Sequence, residues 1–387
     1  MADIQPTARK LEKLRKALYD CSRCGFCRVW NWKGVHWVCP TYPYTEAFDT
    51  QYARGRVNMA QAFLDGAAEI DQTFLDHLAQ CSLCGSCATH CPVGMPLFEI
   101  WHALRSDLVE AGYVHSTHRR TTENVLQHHS VFGARAGRSD ATPQEIRKVD
   151  VLYFPGCQTT RKVRGIGQAT TALLSKLGLN FAMLAEDACC GYPLYDIGQM
   201  QAMRENALRT AAQLKEFQPA TILTTCAGCY RALKVVYPKQ LGIDPGTQVK
   251  HIHEFLPDVL PTRLATLARK VTFHDPCVMG RHMGIYDEPR ALIASVPGVE
   301  LVEMYSNREH ALCCGAGGGV LSTFDEIAGQ VAVERLRQAA AAGAEQLVTS
   351  CPTCVVNLKR AVRKAGLNLQ VSDMVELLNE AVTVDGN

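Results

Sequence analysis

Hydrophobic and polar positions follow two different patterns along the chain. In the first part, apolar residues recur at helical spacing, as in VNMAQAFL (57–64), TFLDHLAQ (73–80) and the segment from Leu11 to Leu18. In the second part, short β-branched or aliphatic runs alternate with longer helical patterns such as MRENALRTAAQLKEF (203–217) and IAGQVAVERLRQAAAAG (327–343). These patterns predict a helix-rich N-terminal region, followed by α/β units on mainly parallel sheets.

The second part of the chain repeats itself. VLYFPGC resembles VTFHDPC, ACC matches LCC, and ILTTCAGC matches LVTSCPTC. The corresponding cysteines, Cys157 and Cys277, Cys189 and Cys313, and Cys226 and Cys351, are offset by 120, 124 and 125 residues. Near-constant offsets indicate a duplicated domain. Cys157 and Cys226 in the first copy, and Cys277 and Cys351 in the second, each follow a strand-like run. Open α/β sheets bind ligands at the carboxyl ends of their strands.

Composition changes the picture mainly through the 18 cysteines. With 47% hydrophobic and 20% charged residues in 387, the chain has an ordinary globular composition. The first 20 residues lack the apolar segment of a secretory signal, and no run approaches the roughly 18 apolar residues of a membrane span. We therefore expect a cytoplasmic protein, in which so many cysteines favour metal ligation over disulfides.

Two cysteine motifs occupy the N-terminal region. CSLCGSCATHCP places Cys81, Cys84, Cys87 and Cys91 at the C-x2-C-x2-C-x3-C-P spacing of bacterial ferredoxins, which bind cubane 4Fe-4S clusters. A zinc site is a weaker interpretation because it uses two separated cysteine pairs.

The other N-terminal motif begins identically but delays its fourth ligand. Cys21, Cys24 and Cys27 are followed by Cys39, with an insertion from Arg28 to Val38. The insertion carries three tryptophans, Trp30, Trp32 and Trp37. They form either an aromatic lid that excludes water or docks a partner, or a local core.

The ferredoxin pairing rule predicts crossed ligand sets. One cubane is expected on Cys21, Cys24, Cys27 and Cys91, and the other on Cys81, Cys84, Cys87 and Cys39. The forty-odd residues between Cys39 and Cys81 predict a helix-rich ferredoxin-like domain rather than a compact ferredoxin. We expect this domain at 1–130, a polar linker at 131–150, the first repeat at 151–262 and the second repeat at 263–387.

Each repeat carries five cysteines, one more than a single zinc ion or cubane binds. Adjacent thiolates reach different irons of one cluster more easily than they chelate one ion, so each repeat is expected to hold a polynuclear iron-sulfur site. Gly191, Gly315 and His274 are candidate cofactor-binding residues beside these cysteines. GAGGG (315–319) either directs backbone N–H groups at sulfur or forms a tight turn before a helix.

The cysteine pattern of the repeats resembles the tandem CCG domains of the heterodisulfide reductase family. With ferredoxin-like motifs in front, the whole chain resembles its D-subunit type, and HDPCVMGRHMGIYDEPR is similar to the family's second repeat. The resemblance implies Rossmann-like α/β repeats and one noncubane 4Fe-4S cluster per repeat, facing a disulfide substrate. The implied ligands, which are also the catalytic residues, are Cys157, Cys189, Cys190, Cys226 and Cys229, and Cys277, Cys313, Cys314, Cys351 and Cys354.

The function implied is that of an iron-sulfur oxidoreductase subunit, in which two cubane clusters supply electrons to two noncubane clusters that reduce a disulfide. The alternative is an electron-transfer subunit of flavoprotein-quinone, glycolate or lactate oxidation, or benzoyl-CoA reductase type, without disulfide chemistry of its own. No flavin fingerprint is present, so the donor is expected on a flavoprotein, iron-sulfur or cytochrome b subunit. Peripheral attachment to the inner face of a membrane through such a partner is compatible with this expectation, and no nucleic acid is expected.

Several polar residues accompany the cysteines. His274, Asp275, Arg281 and His282 flank Cys277, where they either bind and protonate substrate or support the cluster. His251 and His253 lie in the strand-like HIHEF and are expected to be structural. Arg54 and Arg56 either face a cubane or cap a helix.

Overall fold

The computed structural model describes residues 9–29, 37–134, 148–184, 188–260 and 264–383. It confirms the predicted fold class, because a helix-rich N-terminal region precedes two four-stranded parallel sheets. Most of the predicted linker, and Trp30 and Trp32 of the insertion, lie outside the described residues. Within the described part, no helix combines the length and apolar character needed to cross a membrane.

The described residues of the N-terminal region form seven α-helices. They are α1 (Arg9–Glu12), α2 (Arg15–Tyr19), α3 (Ala53–Leu64), α4 (Gln72–Ala79), α5 (Ser86–Thr89), α6 (Leu97–Glu110) and α7 (Ser116–His128), with 3-10 helices at Tyr42–Tyr44 and Asp49–Gln51. The helices predicted over 57–64 and 73–80 are confirmed, and the pattern between Leu11 and Leu18 forms two short helices. Asp71 caps α4 by accepting a hydrogen bond from the Phe74 amide at 2.7 Å.

The first repeat builds a parallel sheet in the order β2-β1-β3-β4. Its strands are β1 (Val151–Tyr153), β2 (Phe181–Met183), β3 (Thr221–Thr224) and β4 (Gln248–His251). Its helices are α8 (Gly156–Arg161), α9 (Arg164–Lys176), α10 (Tyr192–Asp196), α11 (Met200–Glu216), α12 (Ala227–Arg231) and α13 (Ile252–Phe255), with a π-helix at Ala232–Leu241 and a 3-10 helix at Leu256–Asp258.

The second repeat has the same topology, in the order β6-β5-β7-β8. Its strands are β5 (Arg269–Phe273), β6 (Val299–Leu301), β7 (Gln346–Thr349) and β8 (Gln370–Asp373). Its helices are α14 (Asp287–Ala294), α15 (Val320–Thr323), α16 (Asp325–Ala341), α17 (Pro352–Ala365) and α18 (Met374–Ala381), with a 3-10 helix at Arg308–His310.

The strand predicted over HIHEF is wrong beyond its first residue. β4 ends at His251, whose side chain caps α13, and Glu254 accepts a hydrogen bond from the His251 amide at 3.1 Å. This capping box satisfies the free amides of a helix start and so turns the chain. His251 and His253 are both buried.

The two repeats share one hydrophobic core. Tyr153 and Leu223 of the first sheet and Phe273 and Val348 of the second belong to the same buried cluster. A second cluster joins the N-terminal helices to both repeats. Burial of this apolar surface holds the three parts of the chain together, so loops that carry cysteines in different parts meet one another.

Candidate functional site

The eight N-terminal cysteines line two cavities. The outer cavity is lined by Cys21, Cys24, Cys27 and Cys91, and the inner cavity by Cys39, Cys81, Cys84 and Cys87. Each cavity therefore combines three cysteines of one motif with the last cysteine of the other. Cys24 of the outer cavity is exposed, whereas Cys84 of the inner cavity is buried.

The two ends of the insertion, Arg28 and Val38, lie close together. The Val38 amide donates a hydrogen bond to the Arg28 carbonyl at 3.0 Å, which closes the loop at its base. Trp37 lies against Tyr42, with ring centroids 5.8 Å apart. Cys39 is thereby carried to the inner cavity, while Cys27 remains in the outer one.

One arginine from the first turn of α3 lines each cavity. Arg54 lines the outer cavity, where it donates hydrogen bonds to Asp49 and to the Arg23 carbonyl. Arg56 lines the inner cavity and donates to the His77 carbonyl at 3.0 Å. Its buried Nη2 has no hydrogen-bond partner among the described residues. Both arginines therefore face the cysteine cavities.

Burial opposes the ionisation of Cys27 and Cys39. It raises the pKa of the Cys27 thiol to about 12. It also raises the pKa of Cys39, although the charge of Arg56 opposes the shift. A thiolate in such surroundings needs a strong compensating cation, and a metal provides one.

In the first repeat the five cysteines meet at the carboxyl ends of β1 and β3. Cys157 interacts directly with Cys189, and Cys190 interacts with Cys189 and Cys229. Cys226 interacts with Cys229. All five thiols are therefore neighbours at one buried site.

The second repeat gathers its cysteines in the same way. Cys277 interacts directly with Cys313, and Cys314 interacts with Cys313 and Cys354. Cys351 in turn interacts with Cys354. Four of these cysteines are buried, and Cys277 is half-buried.

Thiol contacts also connect the sites to one another. Cys84 of the inner cavity interacts directly with Cys313 of the second repeat. Cys351 of the second repeat interacts directly with Cys226 of the first. The cysteines of the second repeat therefore connect those of the inner cavity to those of the first repeat.

The glycines after the cysteine pairs direct their amides at sulfur. The Gly191 amide donates to Cys189 Sγ at 3.4 Å, and the Gly315 amide donates to Cys313 Sγ at 3.3 Å. Both glycines have left-handed backbones, with φ of 76° and 86°. A Cβ on Gly191 would lie 2.6 Å from Met203 Sδ, so a side chain at this position would require Met203 to move.

The GAGGG loop packs directly on the inner cavity. A Cβ on Gly318 would lie 2.3 Å from the Cys81 carbonyl oxygen. This close approach, together with a left-handed backbone at φ of 61°, explains why residue 318 is glycine.

A buried arginine that the sequence did not single out holds this contact. Arg105 of α6 donates to the carbonyls of Leu78 and Cys81 at 2.7 and 2.8 Å. It also donates to the Asp196 carbonyl at 2.9 Å and to the Gly318 carbonyl at 2.8 Å. All three parts of the chain thus meet at one guanidinium. In the sequence, the charge of Arg105 on an otherwise apolar face of α6 could have indicated this role.

Three of the polar residues near Cys277 bind other groups of the protein. Asp275 forms a buried ion pair with Arg290 at 2.7 Å. Arg281 donates to the Cys84 carbonyl at 2.6 Å, and His282 Nε2 contacts the Leu83 carbonyl at 2.9 Å. Arg281 and His282 therefore support the loop of the inner cavity.

His274 has a different environment. Its Nδ1 accepts a hydrogen bond from Arg335 Nε at 3.0 Å, and its buried Nε2 has no partner among the described residues. One ring nitrogen and the Sγ atoms of Cys314 and Cys354 lie within 4.8 Å of one another. Burial lowers the pKa of His274 to about 3, so the imidazole is neutral.

The donor sets fit iron-sulfur clusters. Each cavity offers four thiols and each repeat offers five, and all 18 cysteines are unpaired. The unpartnered Nη2 of Arg56 suits an anionic group in the inner cavity. Thiolates are the ligands that iron-sulfur clusters use.

Comparison with known proteins agrees with this chemistry. A 4Fe-4S dicluster domain matches residues 17–95, and a cysteine-rich domain named CCG matches residues 151–234 and 271–359. The fold and the sites define an iron-sulfur electron-transfer protein of the oxidoreductase class. The D-subunit of the dihydromethanophenazine:CoB–CoM heterodisulfide reductase of Methanosarcina mazei is 33% identical over 395 residues, covering 95% of both chains. The chain belongs to the D-subunit family of heterodisulfide reductases.

Two further proteins show how broad the similarity is. The B-subunit of a fumarate reductase (CoM/CoB) from Methanothermobacter marburgensis is 30% identical, covering 99% of this chain and 77% of its own length. A crystal structure of a hypothetical protein from Helicobacter pylori has a similar fold, with a TM-score of 0.61 and 9% identity. It covers 98% of this chain and 73% of that one.

Proposed function

We propose that this chain is an iron-sulfur oxidoreductase subunit that passes electrons through two cubane 4Fe-4S clusters to two noncubane 4Fe-4S clusters and so reduces a disulfide. The observation that carries the proposal is the line of thiol contacts from the inner cavity through the second repeat to the first. One-electron transfer is the chemistry that such clusters supply when bound.

The proposed ligands follow the grouping of the thiols. Cys21, Cys24, Cys27 and Cys91 would hold one cubane, and Cys39, Cys81, Cys84 and Cys87 the other. Each repeat would use its five cysteines for one noncubane cluster. Gly191 and Gly315 would stabilise a thiolate through their amides, and Arg56 would balance negative charge in the inner cavity. We propose domains at 1–130, 151–262 and 263–387, with a linker at 131–150.

The requirement for two electrons favours two sites in contact. Splitting a disulfide takes two electrons, whereas a cluster passes one at a time. The direct contact of Cys226 with Cys351 keeps the two repeat sites adjacent, so both electrons would be available at one place.

A second candidate function is electron relay without disulfide chemistry. Nine of the ten cysteines in the repeats are buried, and only Cys277 is half-buried. A buried site suits transfer to a partner more than direct access by a substrate. The relay would serve a flavoprotein, quinone, glycolate or lactate oxidation, or benzoyl-CoA reductase type of complex.

The exposure of the outer cavity indicates where a redox partner would bind. Cys24 is exposed in the outer cavity, so we propose that a redox subunit of flavoprotein, iron-sulfur or cytochrome b type donates electrons there. We propose a cytoplasmic location, free or peripheral at the inner face of the membrane through such a partner. A reducing compartment suits 18 unpaired thiols.

Anaerobic analysis of iron and sulfide tests the cofactors, and disulfide-dependent oxidation of a reduced viologen dye tests the reaction. Four clusters would give about 16 irons per chain. Cys190→Ala and Cys314→Ala should each remove or convert one repeat cluster, spare both cubanes and abolish disulfide turnover. Wild-type turnover in both variants, despite the loss of a cluster, would contradict the proposal. If the wild type turns over no disulfide but reduces a partner subunit, the relay function is correct.

A further inference from the structure

His274 occupies a position at which the two repeats differ. It directly follows β5, and its amide donates to the Val348 carbonyl of β7 at 2.8 Å. In the first repeat, Phe154 directly follows β1, and its amide donates to the Leu223 carbonyl of β3 at 2.7 Å. Because the backbone hydrogen bonds are equivalent, His274 and Phe154 are structural counterparts, and both are fully buried.

The hydrogen bond from Arg335 determines the tautomer of His274. An arginine Nε–H only donates, so His274 Nδ1 must act as the acceptor in the bond of 3.0 Å. An imidazole that accepts at Nδ1 is neutral and carries its proton at Nε2. Arg335 is itself fixed, since its Nη1 donates to the Ser306 carbonyl and to Gln338, each at 2.7 Å.

The protonated nitrogen belongs to the second cysteine site. Nδ1 is occupied by Arg335, so Nε2 is the nitrogen available to Cys314 and Cys354, whose Sγ atoms lie within 4.8 Å of a ring nitrogen. Nε2 is buried and has no partner among the described residues, and a buried N–H without an acceptor is costly. A nitrogen that carries a proton has no lone pair for iron.

We propose that His274 is an N–H···S hydrogen-bond donor to the second repeat site, and not an iron ligand, and that it makes the two repeat sites unequal. The inference rests on the proposed function, since it needs a cluster at each repeat. A donor to sulfur stabilises the more negative, reduced form of a cluster and raises its reduction potential. The first repeat, with Phe154 at this position, lacks that donor. The second site is therefore the easier of the two to reduce.

Redox titrations of the complete protein, followed by EPR, test this inference. Cys190→Ala and Cys314→Ala first assign each noncubane signal to its repeat. His274→Phe, which installs the residue of the first repeat, should lower the midpoint potential of the second site and leave the first unchanged. His274→Gln keeps an N–H donor and should retain most of the original potential. If His274→Phe loses the iron of the second site, the midpoint potential of that site is compared between His274→Gln and the wild type instead.

Nitrogen hyperfine coupling separates a donor from a ligand. Protein labelled with 15N-histidine should show only weak coupling at the second site, together with an exchangeable proton that His274→Phe removes. Strong coupling from a directly bonded nitrogen, or an unchanged potential in His274→Phe, would overturn the inference alone. If no iron-sulfur signal is sensitive to Cys314→Ala, both the proposed function and the inference are wrong.

Discussion

Single residues decide how closely the cysteine loops approach one another. Gly318 has a left-handed backbone with φ of 61°, and its carbonyl accepts from Arg105 while its Cα faces the Cys81 carbonyl. No other residue type combines this conformation with so short an approach. The contact of the second repeat with the inner cavity thus depends on the absence of one methyl group.

Gly318→Ala should separate the GAGGG loop from the inner cavity. The new Cβ would lie 2.3 Å from the Cys81 carbonyl oxygen. We therefore expect the free energy of unfolding to fall by about 2 kcal/mol or more, and the inner cavity to lose iron. Gly343→Ala is the matched control, because Gly343 also has a positive φ, 73°, but a methyl group added there would meet nothing within 4 Å. It should cost only about 1 kcal/mol. Thermal denaturation and iron analysis measure both; equal losses would contradict the argument.

At the scale of elements, the two N-terminal cysteine motifs exchange their last members. The hydrogen bond from Val38 to Arg28 closes the insertion and lets Cys39 reach the inner cavity. Cys91, at the end of the other motif, reaches the outer cavity. Ala53 at the start of α3 lines both cavities, so this helix separates them.

Cys91→Ser should perturb the outer cubane and spare the inner one. Serine is a weaker ligand for iron than cysteine, and Cys91 lies with Cys21, Cys24 and Cys27. Cys87→Ser is the matched control and should affect the inner cubane alone. EPR of the reduced proteins distinguishes the signals. Loss of the same signal in both variants would contradict the crossed pairing.

At the scale of the whole molecule, three parts of the chain meet around Arg105 and Asp196. The Asp196 carboxylate accepts from the Gly318 amide at 3.4 Å, and its carbonyl accepts from Arg105. Burial raises the pKa of Asp196 from 3.8 to about 6, although the charge of Arg105 opposes the shift. Ionising this group above that pH therefore costs the folded protein stability.

Asp196→Asn should stabilise the protein at pH 8 and lose that advantage in acid. A group whose pKa is raised on folding contributes most below its unfolded pKa, and its contribution falls as pH rises through the folded pKa. Asparagine avoids the ionisation, so we expect a gain of about 3 kcal/mol at pH 8 that shrinks below pH 6 and vanishes near pH 3. Anaerobic thermal denaturation across this range measures it; a pH-independent difference would contradict the argument.

Much of the fold and of the site could be predicted because the signals are local. The helices over 57–64, 73–80, 203–217 and 327–343 follow from apolar spacing, and the duplication follows from the constant offset of its cysteines. HIHEF was the exception, since β-branched and aromatic content suggested a strand while the capping box of His251 and Glu254 starts a helix. Short segments of this kind are decided by their contacts more than by their composition.

By itself, the sequence determined the family, the fold class and the cysteine motifs, because ligand spacing and hydrophobic period are encoded within short stretches of chain. Only the tertiary structure decided that Arg54 and Arg56 face different cavities, that Cys84 meets Cys313, and that the cysteines of the second repeat connect those of the inner cavity to those of the first repeat. It also decided the partner of His274 and the four carbonyls of Arg105. These contacts join residues far apart in the chain, and only the packing of a shared core brings them together.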